Sequence, residues 1–330
     1  MEPIIIEQPH SSNGLSVVVN NSRQSDASAF ITANTLECSL EEIRRDHIIP
    51  VFLKDNEPVI SHTDFVEVAT SVVEDIYHQE TILKPAIRVS HPIKGRVPEA
   101  RNKPASELKD YERTLYYERM AFVIEVPSIA DEVGGNLLSL TIGGVKAYNL
   151  DNLHNRKGAD EHFKVFIGFK NTVCLNLCIW SSGAVLDLKV KSIDHLRAAI
   201  WATIQQYNQK QHLSLMKELS QYTLNEQQFA TLLGRCRMHQ HLPKTLKAEV
   251  PALQLVDAQL TAVCKDYYRD SSFCKDQEGN INLWRLYNLL TGANKSTYID
   301  SFIERSANAF QFTNNLKDAL DHKIFSWYLS

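Results

Sequence analysis

The amino-acid sequence predicts an α+β protein in which a mainly antiparallel sheet of about five to six strands packs against a helical C-terminal half. Between residues 50 and 191, five segments are rich in Val, Ile, Phe, Tyr and Thr, the residues that favour strands. Pro and Gly occur in the connections between these segments, as is typical of turns. From residue 192 onward the apolar residues follow helical spacing, with Leu196, Ile200 and Ile204 on one face of the first helix.

The five predicted strands cover residues 86–90, 115–126, 137–148, 163–180 and 185–190. No helical segment separates the third strand from the fourth, so these two should pair antiparallel as a meander. The segment 163–180 is too long for one ordinary strand. It therefore predicts a break or bulge near residues 168–171, or two strands.

Capping patterns mark the starts of several helices. Ser39 with Glu42 fits a capping box ahead of a short helix that ends near residue 46. Thr223 with Glu226 fits a second box, for a helix that reaches about residue 238. Asp257 precedes a further run with helical periodicity.

The domain organisation follows from a change in composition near residue 30. Residues 8–29 are rich in Ser and Asn and lack a sustained period, so residues 1–29 predict a flexible N-terminal arm. Residues 30–330 predict a single α+β domain, sheet-rich over 50–191 and helical over 192–330, because no clear linker separates its two halves.

The sequence carries no secretory signal and no apolar run of membrane-spanning length, which predicts a cytoplasmic protein without membrane association. The cysteines are scattered, and in a reducing compartment they are most simply free thiols. They are Cys38, Cys174, Cys178, Cys236, Cys264 and Cys274.

Charge is distributed unevenly along the chain. The formal net charge is −4, yet the window from residue 84 to residue 103 contains six basic residues and one acid, Glu99, and so carries +5. The rest of the chain is therefore −9. A basic patch on an acidic body indicates a site for an anionic ligand, although an ordinary solvated loop has the same composition.

Cations beside aromatic rings are typical of proteins that hold single-stranded nucleic acid, because Lys and Arg neutralise phosphates and aromatic rings stack on bases. Of the adjacent Tyr116 and Tyr117, only one can face outward from a strand. The predicted nucleic-acid-binding residues are Arg88, Lys94, Arg96, Arg101, Lys103 and Tyr117.

No catalytic motif with a known mechanism is present, and no spacing of Cys and His fits a closed metal site, so we expect no catalytic residues, no metal and no cofactor. One alternative remains. Asp187 and Lys189 on a strand resemble half of a metal-dependent nuclease site, with Glu118 or Glu125 as a further carboxylate.

Gly143 and Gly144 lie inside a predicted strand, where they indicate either close backbone packing or contact with a ligand. Asn171 is one of several polar residues nearby that either line a polar surface or belong to ordinary loops.

Several blocks of sequence resemble an uncharacterised family, a domain of unknown function carried on conjugative and other mobile elements of anaerobic gut bacteria. The blocks are IRVSHPIKGRVPEA, LYYERMAFVIEVPSI, LTIGGVKAYNLDNL, FKVFIGFKNTVCLN and LWRLYNLLTGANKSTYIDSFIERSAN, and the resemblance covers about residues 30–330. LTIGGVKAYN, the FKNTVCLNLC block and the pattern Trp284, Asn288, Thr291 also look like a wider phage/plasmid-like group of unknown function. The resemblance implies no activity and no site residues. It implies a bacterial cytoplasm and a gene that travels with mobile DNA.

Together these observations lead us to expect a non-enzymatic protein that binds nucleic acid, specifically single-stranded DNA, as an accessory of a mobile genetic element. The metal-dependent nuclease is one alternative. The other is a protein-binding module, such as a counter-defence factor that docks on a host protein through its acidic body. The sequence leaves the oligomeric state open.

Overall fold

A curled antiparallel sheet and a helical C-terminal half make up the fold, with 46% of residues in helices and 24% in strands. The computed structural model describes residues 29–49, 60–152 and 160–330. The predicted fold class is confirmed. The predicted flexible arm lies, apart from its last residue, outside the described residues.

In the described part of the chain, seven strands form the main sheet and four more form two small two-stranded sheets. The main-sheet strands are β1 (Thr35–Glu37), β2 (Ala86–Ser90), β5 (Arg119–Val133), β6 (Asn136–Ala147), β7 (Glu161–Asn171), β8 (Leu177–Cys178) and β9 (Ala184–Val190). The small sheets pair β3 (Ile93–Arg96) with β4 (Arg113–Tyr116), and β10 (Thr223–Leu224) with β11 (Ile281–Asn282). Every pairing between these strands is antiparallel.

The long hairpin of β5 and β6 forms the centre of the sheet. Gly134 and Gly135 connect the two strands, and their φ angles of 56° and 81° suit the tight turn that glycine favours. The register shifts between Val126 and Ala130. Pro127 lies in this irregular stretch, where its missing N–H interrupts no regular ladder.

The segment 163–180 contains two strands, as one of the sequence alternatives predicted. β7 ends at Asn171, and β8 returns to pair with its last residues, Phe169 and Lys170. β9 pairs with the other end of the same β7 edge, from Glu161 to Phe166.

Ten α-helices are described. They are α1 (Leu40–Asp46), α2 (His62–Ile76), α3 (Tyr148–Asn152), α4 (Ile193–Gln206), α5 (Gln209–Leu219), α6 (Glu226–His239), α7 (Lys244–Glu249), α8 (Asp257–Arg269), α9 (Leu283–Asn294) and α10 (Phe302–Asp321). Among them, none combines the length and the hydropathy that a bilayer-spanning segment requires.

The helix caps confirm one sequence signal and correct another. Ser39 and Glu42 form the predicted capping box of α1. The box of α6 uses Asn225 and Gln228 in place of Thr223 and Glu226, because Thr223 is paired with Asn282 in β10. The capping box of α6 therefore lies two residues later in the chain than the sequence pattern predicted.

The helical half covers one face of the sheet. Alternate residues of β5, β6 and β7, including Phe122, Leu140 and Ile167, join α2, α4, α5, α9 and α10 in one large apolar core. A smaller core lies on the opposite face, where Val123, Val145 and Phe166 belong to one cluster with residues at the start of α10.

Close packing explains Gly143 and Gly144. A Cβ on Gly144 would lie 2.4 Å from the ring of Phe65, and a Cβ on Gly143 would lie 2.8 Å from the ring of Phe166. The two glycines thus allow aromatic rings to cover the central strand from both faces, which favours the packing interpretation over ligand contact.

Candidate nucleic-acid interface

The small sheet of β3 and β4 is a two-stranded β-ribbon that carries most of the predicted cations. The register places Lys94 opposite Leu115, and Arg96 opposite Arg113. Because side chains alternate along a strand, these four residues share one face of the ribbon. The opposite face includes Thr114, which is buried. We refer to the face with Lys94, Arg96, Leu115 and Arg113 as the outer face.

The outer face places two guanidinium groups side by side. Residues directly opposite in an antiparallel pair have Cβ atoms about 4.5–5.5 Å apart, and like charges at this spacing are destabilising. Arg96 donates a hydrogen bond to the carbonyl oxygen of Lys103, and Arg113 lies 3.4 Å from the exposed carboxylate of Asp110. An exposed ion pair of this kind contributes little. The outer face therefore retains unneutralised positive charge.

The connection between the two strands, residues 97–112, folds through three short 3-10 turns. Arg101 lies in this connection with an exposed side chain, and its guanidinium contacts no carboxylate among the described residues. The ammonium group of Lys103 instead donates to the buried carboxylate of Glu112. That contact lowers the pKa of the Glu112 carboxyl group.

Acidic residues of the connection reduce the charge of the ribbon below the sequence expectation. Residues 93–113 contain six basic and four acidic residues, a net charge of +2. The acids are Glu99, Glu107, Asp110 and Glu112. Glu107, Asp110 and Glu112 lie after residue 103, where the basic window ends. The charge of +5 for that window is therefore higher than the charge of the folded ribbon.

Arg88 and Tyr117 have structural contacts outside the outer face. Arg88, on β2 of the main sheet, donates 3.0 Å hydrogen bonds to the hydroxyl and carbonyl oxygens of Thr35. The ring of Tyr117 stacks on His47 with 5.8 Å between centroids. Of the six predicted residues, the ribbon thus brings together Lys94 and Arg96, with Arg101 and the Glu112-paired Lys103 in its connection. Arg113 was not among the predicted residues.

A group of buried aromatic and ionisable side chains anchors the base of the ribbon. The Nδ1 atom of His47 accepts the backbone N–H of Tyr117 at 3.0 Å, and its ring stacks on His62 with 4.8 Å between centroids. His62 is fully buried, and its Nε2 lies 2.9 Å from the carbonyl oxygen of Tyr117. The ring of Tyr148 is 4.5 Å from that of His62.

Burial keeps both imidazoles neutral. It lowers the pKa of His47 to about 4. The pKa of His62 lies well below its ordinary value, chiefly through burial and further through the neighbouring His47. A neutral His47 is required by its role as acceptor, because a protonated Nδ1 can only donate.

A buried ion pair lies beside the two histidines. The Nζ atom of Lys146 is 2.9 Å from Oε2 of Glu161, and the Lys146 side chain is completely buried. The Glu161 carboxylate also accepts the backbone N–H of Ile60. The ammonium group lies 3.9 Å from the ring centroid of Phe163, within the range of a cation–π contact. These contacts fix the end of β6 against the start of β7.

The carboxylates of the nuclease alternative each have a separate basic partner. Asp187 lies 2.7 Å from His162 and 3.3 Å from Lys189. Glu118 lies 2.8 Å from Arg119. Glu125 pairs with Lys170 and accepts the hydroxyl of Ser139 at 2.6 Å. Across the described ranges, no group of three or more His, Cys, Asp or Glu residues is arranged to hold a metal ion.

Asn171 has a structural role at the end of β7. Its side-chain amide donates to Asn288 on α9 at 3.2 Å, and its side-chain oxygen accepts the backbone N–H of Val173 at 2.9 Å. The residue links the sheet to the helical half and fixes the turn into β8.

Fold and interface together define an α+β protein with a small cationic ribbon beside its main sheet. The chain belongs to the family described as "Domain of unknown function, B. Theta Gene description (DUF3871)", whose model matches residues 12–329. No curated protein matches the chain. No solved structure matches it either.

Proposed function

We propose that the protein binds single-stranded DNA, without catalysing a reaction on it, through the outer face of the ribbon. The observation that carries the proposal is the direct opposition of Arg96 and Arg113, with Lys94 on the same face. A phosphate placed between the two guanidinium groups accepts hydrogen bonds from both and removes their repulsion. The ligand thus compensates an arrangement that is unfavourable in the free protein.

An exposed aromatic ring in the ribbon connection favours a single strand over a duplex. Tyr111 in the ribbon connection is 71% exposed, and the ammonium group of Lys109 lies 5.7 Å from its ring centroid. An exposed ring stacks on an unpaired base, and such stacking tolerates any sequence. Tyr117, which the sequence indicated, is packed against His47, so Tyr111 takes its place in the proposal.

The direct test is the fluorescence anisotropy of a labelled single-stranded oligonucleotide at several salt concentrations. The variant replaces Lys94, Arg101 and Arg113 with Gln, because all three are exposed. Each phosphate contact on a single strand contributes roughly −0.7 to the slope of log affinity against log salt. Loss of three contacts should flatten the slope by about 2 and weaken binding equally for all sequences.

The matched control replaces three exposed lysines on helices outside the ribbon, Lys210, Lys244 and Lys265, with Gln. The change in net charge is the same, so a general electrostatic effect would weaken both variants alike. The proposal expects the control to bind as the wild type does. Equal loss in both variants would remove the ribbon from the proposal.

Two further outcomes separate the alternatives. Absence of binding at low salt would contradict the proposal and favour docking on a host protein. Shortening of the oligonucleotide in the presence of Mg²⁺, lost in Asp187→Asn, would instead establish the nuclease.

We further propose that the protein acts in the bacterial cytoplasm as an accessory of a mobile genetic element. The resemblance of its sequence blocks to a family carried on such elements supports this context. Six free cysteines also suit a reducing compartment. Recovery of the protein in the cytoplasmic fraction, together with DNA of an excised element, would be the expected result. Recovery in a periplasmic fraction would contradict it.

A further inference from the structure

A small cleft adjoins the ribbon. It has a volume of about 160 Å³, and Ile93, the first residue of β3, forms part of its wall. Lys94 of the outer face is the next residue in the chain. Side chains alternate along β3, so Ile93 belongs to the face opposite Lys94, and a strand bound on the outer face reaches the cleft around the end of β3. The other residues that line it and bear on its chemistry are Thr35, Ser90, His91, Glu118, Arg119 and Tyr298.

Glu118 and Arg119 give the cleft its polar character. NH1 of Arg119 lies 2.8 Å from Oε2 of Glu118, and its Nε lies 3.4 Å from Asp300. Nε is buried and forms no hydrogen bond with a described residue. The backbone N–H of Arg119 donates to the hydroxyl of Ser90 at 3.2 Å, which fixes the start of β5 against the end of β2. The pair thus presents an anionic acceptor beside a cationic donor.

The charge balance of the cleft disfavours a phosphate. The Arg119 guanidinium faces the carboxylates of Glu118 and Asp300, and the Arg88 guanidinium is bound to Thr35 in the lining, so neither cation is free to hold a phosphate. A phosphate group would therefore gain little there, whereas a neutral group that carries donors, such as a base, would find acceptors. The cleft therefore complements the ribbon, which attracts phosphates.

We infer that the cleft binds a guanine base of the strand held on the ribbon, an inference that rests on the proposed function. The Watson–Crick edge of guanine presents two neighbouring donors, the exocyclic amine and N1–H, followed by the acceptor O6. The Glu118 carboxylate accepts from both donors, and the Arg119 guanidinium donates to O6. Single-stranded bases are commonly recognised on this edge.

The other bases do not match this pattern. Adenine presents one donor followed by the acceptor N1, which would face a carboxylate oxygen. Cytosine presents one donor and two acceptors, and thymine has a donor between two acceptors. Each would leave the carboxylate opposite a lone pair, which is unfavourable in a desolvated cleft.

Aromatic rings at the cleft provide surfaces for stacking. Tyr298 is 67% exposed, and His91, which also lines the cleft, is exposed too. A planar base stacked on such a ring gains contact irrespective of its sequence, while the Glu118 and Arg119 pair supplies the selection.

The experiment measures binding of the four 5′-mononucleotides GMP, AMP, CMP and UMP by saturation-transfer NMR and calorimetry. GMP is expected to bind at least about tenfold more tightly than each of the others, because a bidentate base contact gives discrimination of this order. Glu118→Gln replaces one of the two carboxylate oxygens with an amide nitrogen that cannot accept a hydrogen bond, and it should abolish the preference for GMP. Glu107→Gln, an exposed acid in the ribbon connection, is the charge-matched control and should retain it.

The outcomes separate this inference from the proposed function. Equal affinity for the four nucleotides, or no detectable binding, overturns the guanine site even if oligonucleotides bind the ribbon. A GMP preference that persists in the Lys94, Arg101 and Arg113 triple variant, in a protein that binds no oligonucleotide, supports the cleft and rejects the ribbon function. Should Glu118→Gln fail to fold, Tyr298→Ala at the exposed ring replaces it and should weaken GMP several-fold. Unchanged GMP affinity in that variant counts against the site.

Discussion

The imidazole of His47 holds the backbone of Tyr117, whose N–H donates to Nδ1 at 3.0 Å. The same segment is fixed a second time where the backbone N–H of Ile48 donates to the carbonyl oxygen of Leu115 on β4. The residues at the end of α1 therefore help to anchor the ribbon, and the first of these two hydrogen bonds exists only while His47 is neutral.

Acid should destabilise the protein through this histidine. The pKa of His47 is about 4 in the folded protein and near 6.5 in the unfolded chain. Between these values the unfolded state binds more protons, so the free energy of unfolding falls as pH decreases from about 6.5 to about 4. One such group contributes a slope of at most about 1.4 kcal/mol per pH unit.

Urea denaturation at several pH values between 7 and 4 measures this slope. His47→Gln removes one titrating group and should give a shallower dependence, whereas His241→Gln, on an exposed residue, should leave it as in the wild type. If His47→Gln and the wild type show parallel profiles, the histidine does not titrate as the structure indicates.

Reversing one charge of the opposed arginine pair should separate stability from binding. Arg113→Glu replaces the repulsion with Arg96 by attraction and should raise the free energy of unfolding by about 0.2–1 kcal/mol. The same change should weaken binding of single-stranded DNA at least tenfold, because a carboxylate then faces the phosphates. Chemical denaturation and anisotropy measure the two effects. A stabilised variant that binds normally would show that the outer face is not the interface.

Adding one methyl group to the centre of the sheet should be costly. A Cβ on Gly144 would lie 2.4 Å from the ring of Phe65 and 2.8 Å from the carbonyl oxygen of Lys164. Gly144→Ala should therefore destabilise the protein by about 1–3 kcal/mol. Gly234→Ala is the control, since a Cβ there meets no atom within 4 Å. As an exposed position in α6, it should gain about 0.5–1 kcal/mol from improved helix propensity. The free energies of unfolding of the two variants, measured by thermal and urea denaturation, should change in opposite directions.

The buried ion pair of Lys146 and Glu161 should show strong coupling in a double-mutant cycle. Lys146→Met removes the ammonium group 2.9 Å from the buried Glu161 carboxylate, and loss of one partner of a buried pair costs about 3–5 kcal/mol. Combining Lys146→Met with Glu161→Gln removes both charges and should recover part of this loss. Additive effects of the two single changes would indicate that the pair is not energetically coupled.

Cysteine reactivity should follow burial. Burial raises the pKa of Cys236 to about 12, and burial together with the nearby Glu42 raises that of Cys38 to about 11. The pKa of the fully buried Cys178 is also raised. A thiol reagent at pH 8 should therefore label these three slowly in the native protein and all six cysteines after denaturation. Fewer than six thiols in the denatured, unreduced protein would contradict the absence of disulfides.

The sequence predicted the sheet well because its signals are local. The density of β-branched and aromatic residues located the long strands, but it joined β4 and β5, which belong to different sheets, into one segment, 115–126. The excess length of 163–180 predicted a break, a bulge or two strands, and the structure has β7 and β8 there. Helix starts were less certain, since Asn225 and Thr223 are both good caps. The choice between them depends on the pairing of Thr223 with Asn282, a contact across 59 residues that no local pattern contains.

The interface was only partly predictable for the same reason. A run of cations indicated Lys94, Arg96 and Arg101, but the window ended before Arg113, whose position opposite Arg96 depends on strand register. Arg88 does not belong to the interface because its side chain is hydrogen-bonded to Thr35, and this too is a contact between distant segments of the chain. His47, His62 and Tyr148 meet from three separate parts of the chain, and nothing in their local sequence indicates it.

The helix α10 belongs to both apolar cores of the sheet. Phe302, Ile303 and Ala307 pack in the smaller core, whereas Phe310 and Phe312 pack in the larger one. During synthesis on the ribosome, the sheet residues emerge long before this helix. Neither core can close until α10 has left the exit tunnel, so the nascent sheet exposes apolar surface on both faces for much of translation. A newly made chain is therefore expected to depend on chaperones until α10 is available.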